Sequence, residues 1–163
     1  GTYKWCDGDY NNMTKYCISS DFGIVDNKTK LEPEDDAATV NWGGAWRMPT
    51  KEEQVELITE CNWTLDTMNG VDGYTVTGPN GNSIFLPAAG AKITTNKGKE
   101  DYAGVPNKLT WYRSSRISKP GYYNKWEYSY GLRFKQDLHD VSDGCLRFPG
   151  YVIRPVMDKK TTE

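Results

Sequence analysis

The chain has 163 residues, of which 37% are hydrophobic and 13% aromatic, and its formal net charge is -2. The length suits one domain with one core. A charge near neutrality provides no basic surface, which argues against nucleic-acid binding. The apolar runs fall short of the roughly 20 residues of a membrane helix, so we expect no direct membrane insertion. We therefore expect a single domain over residues 1–157 and a flexible tail over residues 158–163.

Two short segments near the ends of the chain favour β-structure. Tyr3-Lys4-Trp5 predicts a first strand, and Tyr151 to Met157 predicts a last one. Because both segments are short and rich in β-forming residues, we expect them to pair and to bring the ends of the domain together.

Four cysteines are present, and two of them flank a polar loop. Cys6 and Cys17 enclose residues 7–16, a stretch rich in Asn, Asp and Gly that has little apolar content. A Cys6–Cys17 disulfide would staple this loop, contributing on the order of 3 kcal/mol in the chain-entropy model. It would also indicate an oxidising compartment. We expect Cys61 and Cys145 to be reduced and buried.

Two helices are predicted in the first half of the chain. The first opens at Pro33 and runs to about Trp42, where Gly43-Gly44 ends it. The second spans about Lys51 to Cys61, and Thr50 with Glu53 forms a capping box at its start.

Apolar residues predict how the second helix packs. Val55, Leu57 and Ile58 form an apolar stripe on one face. We expect Trp46 to be buried beneath this helix with Trp42 close by, because the intervening Gly-Gly turn lets both rings fold inward.

Strand patterns dominate the remainder of the chain. Tyr74–Thr77 and Ile84–Leu86 flank the turn-forming residues 78–82, which predicts a hairpin. Residues 88–108 are rich in Gly, Lys and Asn and predict a long loop. Later strands are expected at Leu109–Ser115, Tyr128–Phe134 and Tyr151–Val156. Two early helices followed by a mainly antiparallel sheet with long loops define an α+β fold.

Several of these segments together resemble a known bacterial family. They are residues 35–38, 41–44, 46–53, 71–90, 111–115 and 152–156. This combination resembles the Fibrobacter succinogenes major paralogous domain of Bacteroidetes, which is similar to the DUF1566 and formylglycine-generating-enzyme-like groups. The resemblance implies a C-type-lectin-like fold in secreted or cell-surface lipoproteins, anchored through an N-terminal segment that precedes this sequence. It also implies use as a ligand-displaying protein diversified by a retroelement.

Signals of catalysis are few, and we expect no catalytic residues and no cofactor. The single histidine, His139, lies near Ser142 and Cys145 in sequence, which does not define a nucleophile system. A formylglycine-generating type of oxidase is the less favoured alternative, because it needs a close cysteine pair near the end of the chain. Glu32-Pro33-Glu34 and Gly78-Pro79-Asn80 are poor likenesses of lectin calcium motifs, so no metal site is predicted.

Aromatic residues concentrate between residues 102 and 130, with Asn, Ser, Lys and Arg between them. Tyrosine mixed with small polar residues is typical of binding loops. Trp111 and Tyr130 are expected to pack the sheet, and Arg47 and Arg154 are expected to be structural. The predicted ligand-binding residues are Tyr112, Arg116, Tyr122, Tyr123, Asn124, Trp126 and Tyr128. The expected function is recognition of a glycan or protein, and the alternative is a structural or assembly module of a larger surface lipoprotein.

Overall fold

Short antiparallel sheets and two helices make up the regular structure in the computed structural model, which describes residues 4–6, 11–95, 98–101, 109–118 and 128–158. Three of the sheets have three strands each and a fourth has two. The predicted α+β class is therefore confirmed.

The first helix, α1, spans Ala37–Trp42 and starts later than predicted. Residues 33–35 form a turn, and the helix begins only after Asp36, whose carboxylate accepts hydrogen bonds from the backbone N–H groups of Ala38 and Thr39. This side chain supplies the cap that helix N-termini require. The end at Gly43 agrees with the prediction.

The second helix, α2, spans Lys51–Thr59 and carries the predicted capping box. Its buried face differs from the predicted stripe. Gln54 is only 2% exposed, whereas Val55 faces solvent. Leu57 and Ile58 are half-buried against the core. Among the described helices, none combines the length and apolar content needed to cross a membrane.

The first three-stranded sheet contains the predicted hairpin and one further strand. Its strands are β2 (Asn62–Met68), β3 (Val71–Thr77) and β4 (Ser83–Pro87), and each pairs with the next in antiparallel order. Tyr74 lies opposite Leu86 in the hairpin, and both are buried. The hairpin is confirmed, while β2 was missed by the sequence pattern.

The second such sheet lies beneath α2. Its strands are β7 (Thr110–Ile117), β8 (Tyr128–Lys135) and β9 (Leu138–Leu146), paired consecutively. The predicted strands at 109–115 and 128–134 are confirmed, and Trp111 is buried as expected. Helix α2 packs across all three strands.

The main core forms where α2 meets these two sheets. Its buried members come from β3, β4, β7 and β8, and they are Tyr74, Val76, Leu86, Tyr112, Leu132 and Phe134. Aromatic contacts are frequent among them. For example, the ring centroids of Tyr74 and Phe134 are 5.5 Å apart in an edge-on arrangement.

The segment predicted to be a long loop contains two strands, and the predicted last strand is split into two short ones. Strands β5 (Ala91–Thr95) and β6 (Gly98–Asp101) form a hairpin inside the segment expected to be a loop. Strand β10 (Gly150–Tyr151) pairs with β5, and β11 (Val156–Met157) pairs with β1 (Trp46–Arg47).

The expected pairing of the first and last segments is therefore wrong. Residues 4–6 form a turn rather than a strand, while Tyr3 lies outside the described residues. The last strand takes Trp46 and Arg47 as its partners instead. Backbone pairing thus joins the end of the chain to the approach to α2.

The predicted Cys6–Cys17 disulfide is absent from the structure, where both residues carry thiols. Both are nevertheless buried, and they pack with Met13 in a small second cluster. The Cys17 thiol donates to the backbone oxygen of Ser19 at 3.1 Å. Backbone hydrogen bonds of Met13 with residues 22 and 24 hold this segment together in place of a covalent staple.

Candidate functional site

The predicted ligand-binding residue Tyr112 belongs to the core. It is only 2% exposed, and its hydroxyl donates to the backbone oxygen of Pro87 at 2.8 Å. Burial raises the pKa of this phenol. The prediction that Tyr112 presents its ring on an exposed binding face is therefore wrong, because strand β7 is buried on both faces over most of its length.

Two other predicted residues lie together at one end of the β7–β8 pair. Arg116 and Tyr128 are both half-exposed. Ile117 is the register partner of Ser129, and the backbone N–H of Ser118 donates to the oxygen of Tyr128. The other predicted residues, Tyr122, Tyr123, Asn124 and Trp126, lie outside the described residues, so a binding face there stays a prediction.

His139 lies on a surface formed by β9 and β2. Its exposed imidazole stacks on the indole of Trp63, with centroids 4.9 Å apart and planes within 6° of parallel. Cys145 is fully buried, and burial raises the pKa of its thiol. A raised thiol pKa disfavours the thiolate that nucleophilic chemistry requires.

Three carboxylates converge near the start of α1. Those of Glu32, Glu34 and Asp35 lie within 4.8 Å of one another. The ammonium of Lys15 lies among them, 2.5 Å from both Glu32 and Asp35 and 3.6 Å from Glu34. Lys15 thus lies at the centre of this cluster, while Lys4 pairs with Asp35 and Lys28 with Glu32. We call the group the Lys15 clasp (Lys15, Tyr16, Glu32, Glu34 and Asp35).

Hydrogen bonds within the Lys15 clasp shift the ionisation of its members. Hydrogen bonds from Lys15 and from the neighbouring Lys28 lower the pKa of Glu32 to about 2. Burial raises the pKa of Tyr16 to about 12. Burial opposes ionisation of Asp35, but hydrogen bonds from Lys15 and Tyr16 outweigh it and lower the pKa of that carboxyl. These shifts favour the charged carboxylates and identify a structural tie between two segments.

A predominantly apolar concavity lies beside α2. It is a cavity of about 400 Å³ between α2 and residues 154–157, and we call it the α2 groove. Its walls include Leu57, Ile84 and Val156, while Tyr112 and Leu132 also line it. A cleft of this size is within the range of ligand-binding sites.

Two tryptophans lie at one side of the α2 groove. Trp46 is half-buried and lines the groove, whereas Trp42 is 59% exposed. Their ring centroids are 5.2 Å apart with nearly perpendicular planes. Trp42 lies close to Trp46 as expected, but the expected inward burial of both rings is wrong. Gly43 and Gly44, with φ of 65° and 60°, turn the chain so that the rings pack on each other at the surface.

Met157 extends this exposed apolar surface. It is the register partner of Trp46 across the β1–β11 pair, so both side chains lie on the same face. Met157 is 60% exposed and also lines the α2 groove. Trp42, Trp46 and Met157 together form an apolar edge beside the groove.

Arg47 fixes the walls of the α2 groove. Its guanidinium makes two hydrogen bonds to Glu53 of α2, at 2.7 and 2.8 Å, and one to Asp158 at 2.8 Å. It also donates to the backbone oxygen of Met48. The expected structural role of Arg47 agrees with these contacts, since they tie β1 to α2 and to the residue that follows β11.

Two polar side chains stand out among the apolar lining. Gln54 donates through Nε2 to the backbone oxygen of Tyr112 at 2.9 Å, but its buried Oε1 has no partner among the described residues. Arg154 is exposed, and its guanidinium forms no hydrogen bond or ion pair with any of the described residues. The structural role expected for Arg154 has no contact to support it.

The α2 groove was missed by sequence reasoning because its walls come from separated segments. They come from β1, α2, β4, β7, β8 and residues 154–157, together with Pro49 and Cys61. The sequence indicated only one part of the groove, because the two tryptophans around the Gly-Gly turn form an unusual apolar segment.

Comparisons with known proteins add no further constraint. No protein-family model, no curated protein and no solved structure matches the chain. The functional reading therefore depends on the geometry of the site.

Proposed function

We propose that this chain is a non-catalytic recognition domain that binds a polypeptide partner in the α2 groove. The observation that carries the proposal is the apolar edge of Trp42, Trp46 and Met157 beside a cavity of about 400 Å³. Exposed, contiguous apolar side chains mark interaction sites, and tryptophan is enriched among the residues that dominate binding energy.

The lining favours a polypeptide over a glycan. Sugar rings need several polar side chains to hold their hydroxyls, whereas most of the groove is walled by residues such as Leu57, Ile84 and Val156. An apolar side chain of a partner can fill such a cavity and release water from both surfaces. The edge-on pair of Trp42 and Trp46 then provides a stiff rim for the same partner.

The wider setting of the proposal comes from the resemblance described above. The proposal therefore includes a C-type-lectin-like fold and a location at the cell surface or outside the cell. The mixture of two helices and small antiparallel sheets is consistent with that fold. Arg116 and Tyr128 flank residues 119–127, so the aromatic segment predicted from sequence is retained as a second contact region.

Selection from a peptide library tests this proposal. Random peptides are displayed with either the amino or the carboxyl terminus free and are panned on the protein. A glycan array is probed in parallel. Selected peptides should bind the wild-type chain and lose at least about tenfold in affinity on Trp42→Ala, which is about 1.4 kcal/mol. Leu65→Ala is the matched control, because Leu65 is 63% exposed on β2 and lies outside the groove.

Two results would contradict a polypeptide site in the groove. The first is that the library yields no peptide while the protein binds a glycan and still binds it after Trp42→Ala. The other is self-association of the protein that Trp42→Ala abolishes while no peptide binds, which would favour the assembly-module alternative.

A further inference from the structure

Arg154 is the unengaged cation on the wall of the α2 groove. Other arginines are committed: Arg47 and Arg133 pair with carboxylates, and Arg113 donates to backbone oxygens. Arg154 is exposed and has no such partner within the described ranges. A guanidinium presents a planar fork of N–H donors that matches a carboxylate.

Two carboxylates, those of Glu53 and Glu56, also line the groove. The Glu53 carboxylate is held by Arg47 and by the backbone N–H of Thr50. Glu56 is exposed and lies near Cys61, whose thiol pKa is raised by burial and by that charge. Arg154 instead lies near Tyr112, where its charge favours the phenolate.

Gln54 lies beside the same tyrosine. Its Nε2 donates to the backbone oxygen of Tyr112, while Oε1 is buried without a partner among the described residues. Buried carbonyl oxygens are normally hydrogen-bonded, so this one calls for a donor. The oxygen is itself buried, so it is not open to a ligand in this structure.

We infer that the α2 groove recognises the carboxyl-terminal residue of its partner polypeptide, with an apolar side chain in the cavity and the terminal carboxylate on Arg154. This inference rests on the proposed function. An apolar cavity with a guanidinium on its wall matches two groups that a single terminal residue carries, its side chain and its carboxylate.

A terminal residue fits better than an acidic side chain. It carries the apolar side chain and the carboxylate on one Cα atom, so both reach neighbouring parts of the groove. In an extended peptide, an aspartate and the apolar residue beside it point to opposite faces. An aspartate directly beside the apolar residue would therefore reach Arg154 only if the chain bent.

Three short acetylated peptides test the inference by isothermal titration. The first ends in alanine-leucine with a free carboxylate, the second is its carboxyl-terminal amide, and the third is an amide with aspartate before the leucine. The free acid should bind at least about tenfold more tightly than either amide. Its advantage should shrink as salt is raised, because exposed charges are screened.

Variants separate the carboxylate contact from the groove itself. Arg154→Gln should bind the free acid and its amide equally. Lys135→Gln removes an exposed positive charge outside the groove and should keep the preference. Equal binding of acid and amide to the wild-type chain, with loss on Trp42→Ala, would overturn the inference and leave the proposed function standing.

Other outcomes overturn the inference in different ways. A preference for the free acid that survives Arg154→Gln would put the carboxylate elsewhere. Tight binding of the aspartate amide would assign Arg154 to acidic side chains. If none of the three peptides binds and library selection also yields none, the proposed function fails together with the inference.

Discussion

Asp36 is the residue that connects the two helical motifs of the first half of the chain. Asp36 is 5% exposed, and its carboxylate caps α1 through the backbone N–H groups of Ala38 and Thr39. Both of its oxygens also accept from the backbone N–H of Met48, at 3.0 and 2.9 Å. One buried side chain therefore holds the start of α1 against the extended approach to α2.

Removing this carboxylate should destabilise the fold. We expect Asp36→Ala to lower the free energy of unfolding by about 2–4 kcal/mol, because a helix cap is lost and the buried N–H of Met48 is left unpaired. Asp36→Asn keeps one carbonyl acceptor and should lose less. Chemical denaturation of the three proteins measures the difference, and an alanine variant as stable as wild type would show that these bonds contribute nothing net.

The type of an individual residue did not predict whether its side chain is buried. Tyr112 was placed on a binding face because tyrosine is common there, yet β7 buries almost every side chain and alternation is lost. Trp42 was expected inside and is exposed. In α2, a glutamine occupies the most buried position, because its amide satisfies the backbone oxygen of Tyr112 across the interface. The burial of this glutamine depends on the partner strand and cannot be predicted from the helix sequence alone.

At the scale of elements, the Lys15 clasp joins the N-terminal segment to the start of α1. Lys15 contacts Glu32 and Asp35, and the Tyr16 hydroxyl donates to Asp35 at 2.6 Å. The backbone N–H of Glu32 donates to the same hydroxyl oxygen at 2.9 Å. These contacts bring together segments that share few apolar side chains.

The Lys15 clasp predicts how stability depends on pH. The folded pKa of Glu32, about 2, is below its ordinary value of 4.5, so its contribution is complete above about pH 4.5 and is lost as pH falls towards about 2. The lowered pKa of Asp35 acts in the same direction. We expect Lys15→Met to weaken this acid-dependent loss, because the carboxylates then lack the cation that favours ionisation.

Denaturation midpoints between pH 7 and pH 2 test the clasp. Lys135→Met is the control, since Lys135 forms no ion pair with a described residue and its profile should parallel that of the wild-type chain. A Lys15→Met profile that superimposes on the wild-type one would show that the clasp does not determine acid stability.

Elements with local signals were predictable, and those that depend on distant partners were not. The capping box of Thr50 and Glu53 and the hairpin of β3 and β4 are encoded by adjacent residues. Strand β9 mixes His, Asp, Ser and Gly with few apolar residues, so it shows no alternation. It exists because β8 pairs with it along its length.

At the scale of the molecule, the α2 groove arises where elements distant in sequence meet. Strand β11 pairs with β1, and Arg47 connects that pair to Glu53 of α2. The sequence alone predicts the α+β class and most of the strands that line the groove. It does not predict the groove, because the expected partner of the last strand was the start of the chain and not Trp46.

Methyl NMR of the labelled protein is the most direct test of a polypeptide site in the α2 groove. A peptide selected on the wild-type chain is titrated while the methyl resonances of leucine, isoleucine, valine and methionine are followed. The groove methyls belong to Leu57, Ile84, Leu86, Leu132, Val156 and Met157. We expect these resonances to shift together while Leu65 and Val71, exposed on β2 and β3, stay unchanged. Shifts confined to methyls outside the groove, with the groove resonances unmoved, would contradict the proposed site.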